Sequence, residues 1–185
     1  MSYNPQYILI IALLFFSTQI HAQPRTGKAI DVSIGYGISA PTDDVDITGE
    51  GFYLQGEYVI GLTKWFGFRP YAGLILTSSD EEENTGFKST ANAFLLGGKA
   101  RVLAPIPWVA PYIEVGVGVS FGSFETMTPF TNVEKSGVLY HIPFTLGLAV
   151  GPRSNIDVEL VYYYHPSADQ FSGAAALGVS IPLAN

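Results

Sequence analysis

The stretch VLYHIPFTLGLAV (residues 138–150), followed by GPRSN (151–155) and IDVELVYYYH (156–165), decides the fold. In both longer runs every second residue is apolar, and the residues between them are mostly smaller, polar or charged. Alternation with a period of two predicts strands. The Gly, Pro, Ser and Asn of residues 151–155 predict a turn, so the whole stretch reads as a β-hairpin.

The same alternation recurs along the chain and predicts eight strands in all. The other six are expected at residues 29–39, 52–60, 65–76, 91–103, 112–121 and 173–183. Most of them are about ten residues long, the length that a tilted strand needs to cross the apolar part of a bilayer. We therefore predict an all-β fold, an eight-stranded antiparallel up-and-down transmembrane β-barrel.

The connections between the predicted strands alternate in length. Short connections cover residues 61–64, 104–111 and 151–155, and longer polar connections cover residues 40–51, 77–90 and 122–137. Short turns on one rim and long loops on the other are typical of outer-membrane barrels, with both termini on the short-turn rim. Trp65 and Trp108 lie beside short turns, where the aromatic residues of a membrane interface are expected.

Composition limits the class of protein further. A chain of 185 residues is predicted to form one domain, and only 14% of its residues are charged, against about 25% in an average soluble domain. The absence of cysteine excludes disulfides, a thiolate metal site and a lipid-modified N-terminal cysteine. A net charge of −7 without a basic stripe argues against nucleic acid as a partner.

The N-terminal segment is predicted to be an export signal. Residues 8–16 form a short apolar core, and a small residue, Ala22, precedes Gln23. The core is too short for a membrane-spanning helix, and this layout is typical of a cleaved signal peptide. We expect residues 1–22 to be removed and residues 23–185 to form the barrel domain.

The two faces of the predicted strands differ in the way that a membrane barrel requires. The apolar face is nearly unbroken, whereas the other face is rich in Gly, Ala and Ser, as in residues 174–180. Small side chains suit the narrow interior of an eight-stranded barrel, so the apolar face is expected to contact lipid. The alternative is a soluble exported β-barrel that keeps the apolar rows inside and binds a small apolar ligand.

Together, the signal segment, the eight alternating strands and the unequal loops resemble the small outer-membrane β-barrel proteins of the OmpA/OmpX type. The resemblance covers the whole mature chain and rests on pattern. It implies a monomer in the bacterial outer membrane, surrounded by lipid and without a cofactor. It also implies a structural or surface-interaction role through the extracellular loops. The chain departs from many such barrels by ending in Asn185 instead of an aromatic residue.

If the apolar rows face lipid, charged residues lie inside the barrel. Pairing Gly61 with Trp65 across the connection at residues 61–64 places Glu57 opposite Arg69. Pairing Leu103 with Tyr112 in the same way places Arg101 opposite Glu114. Directly opposed side chains are about 4.5–5.5 Å apart at Cβ. We expect two ion pairs that fill the lumen, since an eight-stranded interior is just wide enough for side chains.

Two histidines are predicted to face each other in the lumen. Closing Val150 against Ile156 places His141 opposite His165. Paired imidazoles can share a proton or bind a metal. No third ligand is fixed by spacing, so no metal site is predicted.

His165-Pro166-Ser167 resembles the His-x-Ser motif of the PagL-type lipid A deacylases, which are also eight-stranded barrels. The resemblance implies that His165 is the base and Ser167 the nucleophile of ester hydrolysis. Two features depart from that family: Ala168 stands where an Asn follows the Ser, and residues 177–179 are apolar where the orienting acid belongs. An outer-leaflet lipid A deacylase is therefore the alternative function.

Two acidic clusters fall in predicted long loops, at Asp43-Asp44-Asp46 and Asp80-Glu81-Glu82-Glu83. Clusters of this kind usually keep a loop solvated. They are also the place where a surface ligand of positive charge could bind. No Asp-x-Asp-x-Asp-Gly pattern accompanies them, so no calcium loop is predicted.

Overall fold

The computed structural model describes residues 26–42, 47–79, 88–130 and 132–183. Eight antiparallel strands form one closed barrel in chain order, and the last strand pairs with the first. The strands are β1 Gly27–Pro41, β2 Gly49–Gly61, β3 Phe66–Ser78, β4 Lys88–Leu103, β5 Val109–Met127, β6 Asn132–Val150, β7 Ile156–His165 and β8 Gln170–Pro182. The predicted eight-stranded up-and-down barrel is confirmed.

Three predicted features lie outside the described residues: the signal segment 1–22 and the acidic clusters at 43–46 and 80–83. The division of the chain at residue 22 therefore stays a prediction. Within the described ranges, the structure contains no helix of sufficient length and apolarity to span a membrane.

The faces of the strands are arranged as the alternation predicts. In β7, Asp157 and Glu159 are buried inside the barrel, while Val158 and Leu160 between and beyond them are exposed on the outside. Large exposed apolar side chains occur on the outer face of every strand, as in Ile34, Leu54, Phe68, Phe94, Val117, Phe144, Leu160 and Leu177. The soluble alternative required these rows inside and does not fit this arrangement.

Strand registers agree with the prediction at two hairpins and differ at a third. Arg101 lies opposite Glu114, and Val150 lies opposite Ile156, as expected. Between β2 and β3, however, Glu57 lies opposite Tyr71, two residues from the predicted partner Arg69. The reason is the turn, because the backbone N–H groups of Leu62 and Thr63 both donate to the carbonyl of Phe66, which makes Gly61 pair with Gly67.

The prediction of a long loop at residues 122–137 is wrong. β5 and β6 continue as a paired hairpin to Met127 and Asn132, and residues 128–131 form the connection. Gly122 and Gly137 resembled loop residues in the sequence, but they lie opposite each other in this ladder. On the same rim, residues 166–169 form a tight turn between β7 and β8.

Candidate functional site in the barrel lumen

The lumen is filled by polar side chains that fall into two groups. The half near the short turns holds the charged cluster, in which every member is at most 6% exposed. Its members are Asp31, Glu57, Arg69, Lys99, Arg101, Glu114, Asp157 and Glu159. The half near the opposite rim holds the neutral network, formed by Tyr53, Gln55, Tyr71, Ser120, His141, Tyr163 and His165.

Lys99 joins two carboxylates at the centre of the charged cluster. Its Nζ lies 2.5 Å from Glu57 Oε1 and 2.7 Å from Glu114 Oε2. Arg69 approaches the other oxygen of Glu57, with 2.8 Å between Nη1 and Oε2. The structure therefore brings Glu57 and Arg69 together diagonally, although they are not opposed in the ladder.

Arg101 extends the cluster towards β7. Its Nε lies 2.5 Å from Glu114 Oε1, and its Nη1 lies 3.1 Å from Asp157 Oδ2. The guanidinium carbon is 3.5 Å from the centre of the Tyr112 ring, and the Tyr112 hydroxyl donates to Glu159 Oε2 at 3.0 Å. One cation thus links a directly opposed carboxylate, a distant carboxylate and an aromatic face.

The charges of this cluster are unequal, since five carboxylates share three cations. Four carboxylates lie within 4 Å of at least one cation. Glu159 is different, because no Lys or Arg among the described residues lies within that distance of it. Removing one partner of a buried ion pair leaves an uncompensated charge, so the paired members hold the barrel together more strongly than Glu159 does.

Ser120 connects the two histidines in the neutral network. Its Oγ is 2.7 Å from His141 Nδ1 and 2.9 Å from His165 Nε2, and His141 Nε2 is 2.5 Å from the hydroxyl of Tyr71. The network needs no net charge, because a neutral imidazole has one donor and one acceptor nitrogen. Gly118 provides the space, since a Cβ atom there would overlap His141 and Tyr71.

The predicted meeting of His141 and His165 is therefore present, with 5.5 Å between the ring centroids, but a serine bridges them. Sequence reasoning missed Ser120, although its place on the inward row of β5 was visible. Among the described residues, no group of three or more His, Asp or Glu is arranged to hold a metal ion. Ser120 and both histidines are fully buried, so a substrate has no access to this hydroxyl.

The structure does not bring His165 and Ser167 together as a base and a nucleophile. The His165 ring packs in the lumen against Phe124, with 4.3 Å between centroids, and its Nε2 is occupied by Ser120. Ser167 lies exposed in the turn that follows. Within the described part of the chain, no hydrogen bond joins the two side chains. Their catalytic roles stay a prediction that this geometry does not support.

Hydrogen bonds cross the lumen at the outer rim, and a small cavity lies at the short-turn rim. At the outer rim, Thr126 Oγ1 donates to the carbonyl of Ala168 at 3.3 Å, and Gln170 Nε2 donates to Ser89 Oγ at 3.0 Å. At the short-turn rim, a cavity of about 100 Å³ is lined in part by Arg69 and Arg101. The filled interior between these ends favours a solid barrel over a water-filled pore.

No protein-family model and no curated protein matches the chain. Among solved structures, Neisserial surface protein A (NspA) is 14% identical and covers 85% of this chain and 98% of its own, with a TM-score of 0.55. Ail of Yersinia pestis, solved with the heparin analogue sucrose octasulfate, is 20% identical over 84% of this chain and 98% of its own, with a TM-score of 0.48. The outer-membrane enzyme PagL is 17% identical over 83% and 99%, with a TM-score of 0.48.

Of these three, NspA alone exceeds a TM-score of 0.5. At 14% identity the likeness concerns the path of the backbone and not the activity. The closed barrel of eight strands agrees with this likeness. The protein therefore has the fold of the small eight-stranded outer-membrane β-barrels, as found in NspA.

Proposed function

We propose that this chain is an integral protein of the bacterial outer membrane with a structural and surface-interaction role. The observation that carries the proposal is the outer face of the barrel, where large apolar side chains are exposed on all eight strands. Soluble monomers rarely expose apolar patches larger than a few hundred Å². A closed barrel satisfies its backbone hydrogen bonds internally, which is what the hydrocarbon region of a bilayer requires.

Aromatic residues support a defined position in the membrane. Trp65 and Trp108 are exposed beside the short turns, and Tyr36, Tyr140 and Tyr162 are exposed on the outer face towards the opposite rim. Aromatic girdles of this kind mark the two interfaces of membrane barrels. The hairpin of β5 and β6 then extends to the outside of the cell.

A role at the cell surface fits better than a role as a pore or an enzyme. The lumen is filled, and neither histidine reaches an exposed nucleophile. The parts that extend outward are the β5–β6 hairpin and, by sequence, the acidic segments at 43–46 and 80–83. These segments would attract a partner of positive charge. The protein would act as a monomer in lipid.

Membrane integration is tested by fractionation of cells that express the full chain. The protein should stay in the outer-membrane fraction after alkaline carbonate washing and should migrate differently on gels before and after heating. Release into the soluble fraction by the wash would overturn the proposal.

Orientation is tested separately, because the chain has no cysteine of its own. In intact cells, a membrane-impermeant maleimide should label Phe130→Cys, at the tip of the β5–β6 hairpin. The matched variant Arg153→Cys, exposed in a turn on the other rim, should react only after the cells are broken. The reverse pattern would contradict a surface role for the hairpin.

A further inference from the structure

A cavity of about 100 Å³ lies inside the short-turn rim of the barrel. Two glycines of its lining, Gly61 of β2 and Gly67 of β3, lie opposite each other in the ladder and leave this space because they have no side chains. The turn between the two strands contributes Thr63, Lys64 and Trp65 to the wall. One water needs only about 10–15 Å³ of such space, so the cavity has room for several waters or for one small ion.

The charged side chains that line this cavity are all positive. They are Lys64, Arg69 and Arg101, and no Asp or Glu among the described residues lines it. Guanidinium and ammonium groups only donate hydrogen bonds, so they require an acceptor as their partner. The lining therefore suits an anion. The rest of its polar lining consists of hydroxyl groups, from Thr63, Ser154 and Ser180.

Two polar atoms of this lining are buried without a hydrogen-bond partner. One is Nη2 of Arg101, a side chain whose Nε and Nη1 are held by Glu114 and Asp157 and which is only 5% exposed. The other is the hydroxyl oxygen of Ser154. An unpaired buried polar group costs free energy, and a bound ion or water is the usual reason that one occurs in a cavity.

We propose that this cavity binds one tetrahedral oxyanion of the phosphate or sulfate class. Nη2 of Arg101 carries two N–H donors, and a guanidinium group matches the oxygens of such an anion in geometry as well as in charge. Phosphate has four oxygens, so a single ion can accept from Arg101 and also from the hydroxyl group of Ser154. The inference goes beyond the proposed surface role, because the site lies at the rim opposite the β5–β6 hairpin.

The strands contribute residues of their inward rows to this lining, among them the buried Leu103 and Ala149. The anion therefore enters from the water at this rim and not from the lipid around the barrel. The affinity is limited by the charged cluster, in which five carboxylates already share three cations. We expect a dissociation constant on the order of 1 mM.

The test follows the two indole N–H signals by NMR while sodium phosphate is added to the full chain, folded in detergent with its heat-dependent gel shift intact. The signal of Trp65, which lines the cavity, should shift and saturate. Trp108 is beside a short turn of the same rim but does not line the cavity, so its signal should stay constant. Sodium chloride at the same ionic strength should shift neither signal. Phosphate should also raise the urea midpoint of unfolding, since a ligand of the folded state stabilises it.

Two neighbouring residues provide matched variants. Ser154→Asp places a carboxylate in the cavity, whereas Arg153→Gln changes the net charge by the same amount at an exposed position outside it. Ser154 has a φ of 48°, a left-handed conformation that Asp tolerates, so the gel shift should persist. Ser154→Asp should weaken phosphate binding by at least about tenfold through repulsion, and Arg153→Gln by less than about twofold, because salt screens exposed charges.

Three results would overturn the site: no response of Trp65 to phosphate, an equal response to chloride, or equal losses of affinity in the two variants. Dimethyl phosphate is a diester with a single charge, like the phosphate of a phospholipid, and should bind more weakly than inorganic phosphate. Tighter binding of the diester would overturn the choice of an anion from the aqueous phase. Failure of membrane integration would appear in the fractionation and not in these measurements.

Discussion

The two halves of the lumen fill the same space by different chemistry. The charged cluster joins β1, β2, β3, β4, β5 and β7 through cations that each contact two or more carboxylates. The neutral network joins β2, β3, β5, β6 and β7 through hydrogen bonds among tyrosine, glutamine, serine and histidine side chains. Loss of a partner lowers the free energy of unfolding more in the charged half, because it leaves a buried ion instead of a buried dipole.

The difference also concerns position in the membrane. The charged cluster lies near the short turns, and the neutral network lies nearer the rim from which the β5–β6 hairpin extends. Phe124, from the start of that extension, packs on the His165 ring. The neutral network is thus the part of the lumen connected to the surface that we propose to bind a partner.

Glu114→Gln is expected to have the largest effect on stability. The change preserves shape but removes the charge that faces both Lys99 and Arg101. Loss of the only partner of a buried charge costs about 3–5 kcal/mol, and this is the upper bound for Glu114→Gln, because Lys99 keeps Glu57 and Arg101 keeps Asp157. Urea unfolding in detergent, followed by the fluorescence of Trp65 and Trp108, measures the change. If Glu114→Gln loses less free energy of unfolding than Ser120→Ala does, the proposed ranking of the two halves is reversed.

Ser120→Ala should have an intermediate effect. It leaves His141 Nδ1 and His165 Nε2 without their shared partner, and an unsatisfied buried polar group costs about 1–3 kcal/mol. The same unfolding measurement applies. Amide hydrogen exchange should also rise in β6 and β7 on either side of the lost contact. An unchanged midpoint would show that the serine is not the link between the histidines.

Glu159→Gln should change stability by less than about 1 kcal/mol, since Gln keeps an acceptor for the Tyr112 hydroxyl and no cation loses its partner. It is the matched control for Glu114→Gln, because both changes replace a buried carboxylate by an amide. Equal losses in the two variants would mean that burial alone, and not ion pairing, determines the cost.

The sequence predicted the barrel well because alternation is a local property. The register of β4 and β5 followed from the same reasoning, which placed Arg101 opposite Glu114. The register of β2 and β3 did not, because a connection of a few residues can close in more than one way and the hydrogen bonds of Thr63 decide between them. Counting residues cannot anticipate that choice.

Contacts across the lumen were harder to predict than contacts between neighbours. Ser120 meets His165 although their strands, β5 and β7, are not adjacent in the barrel. Such contacts depend on the tilt and stagger of all eight strands. The outer hairpin was missed for a different reason, since Gly122 and Gly137 usually indicate loops but here lie within paired strands.

The smallest expected effect concerns Ser167, and it separates two serines that lie near the same histidine. Ser120 is buried and hydrogen-bonded to His165, whereas Ser167 is exposed and forms no hydrogen bond with the His165 side chain. Ser167→Ala should therefore leave the unfolding midpoint unchanged. It should also leave lipid A unchanged, as measured by mass spectrometry of lipid A from cells that express the wild type or the variant. Loss of one acyl chain in the wild type alone would establish the hydrolase, and would require His165 to leave Ser120 and turn out of the lumen.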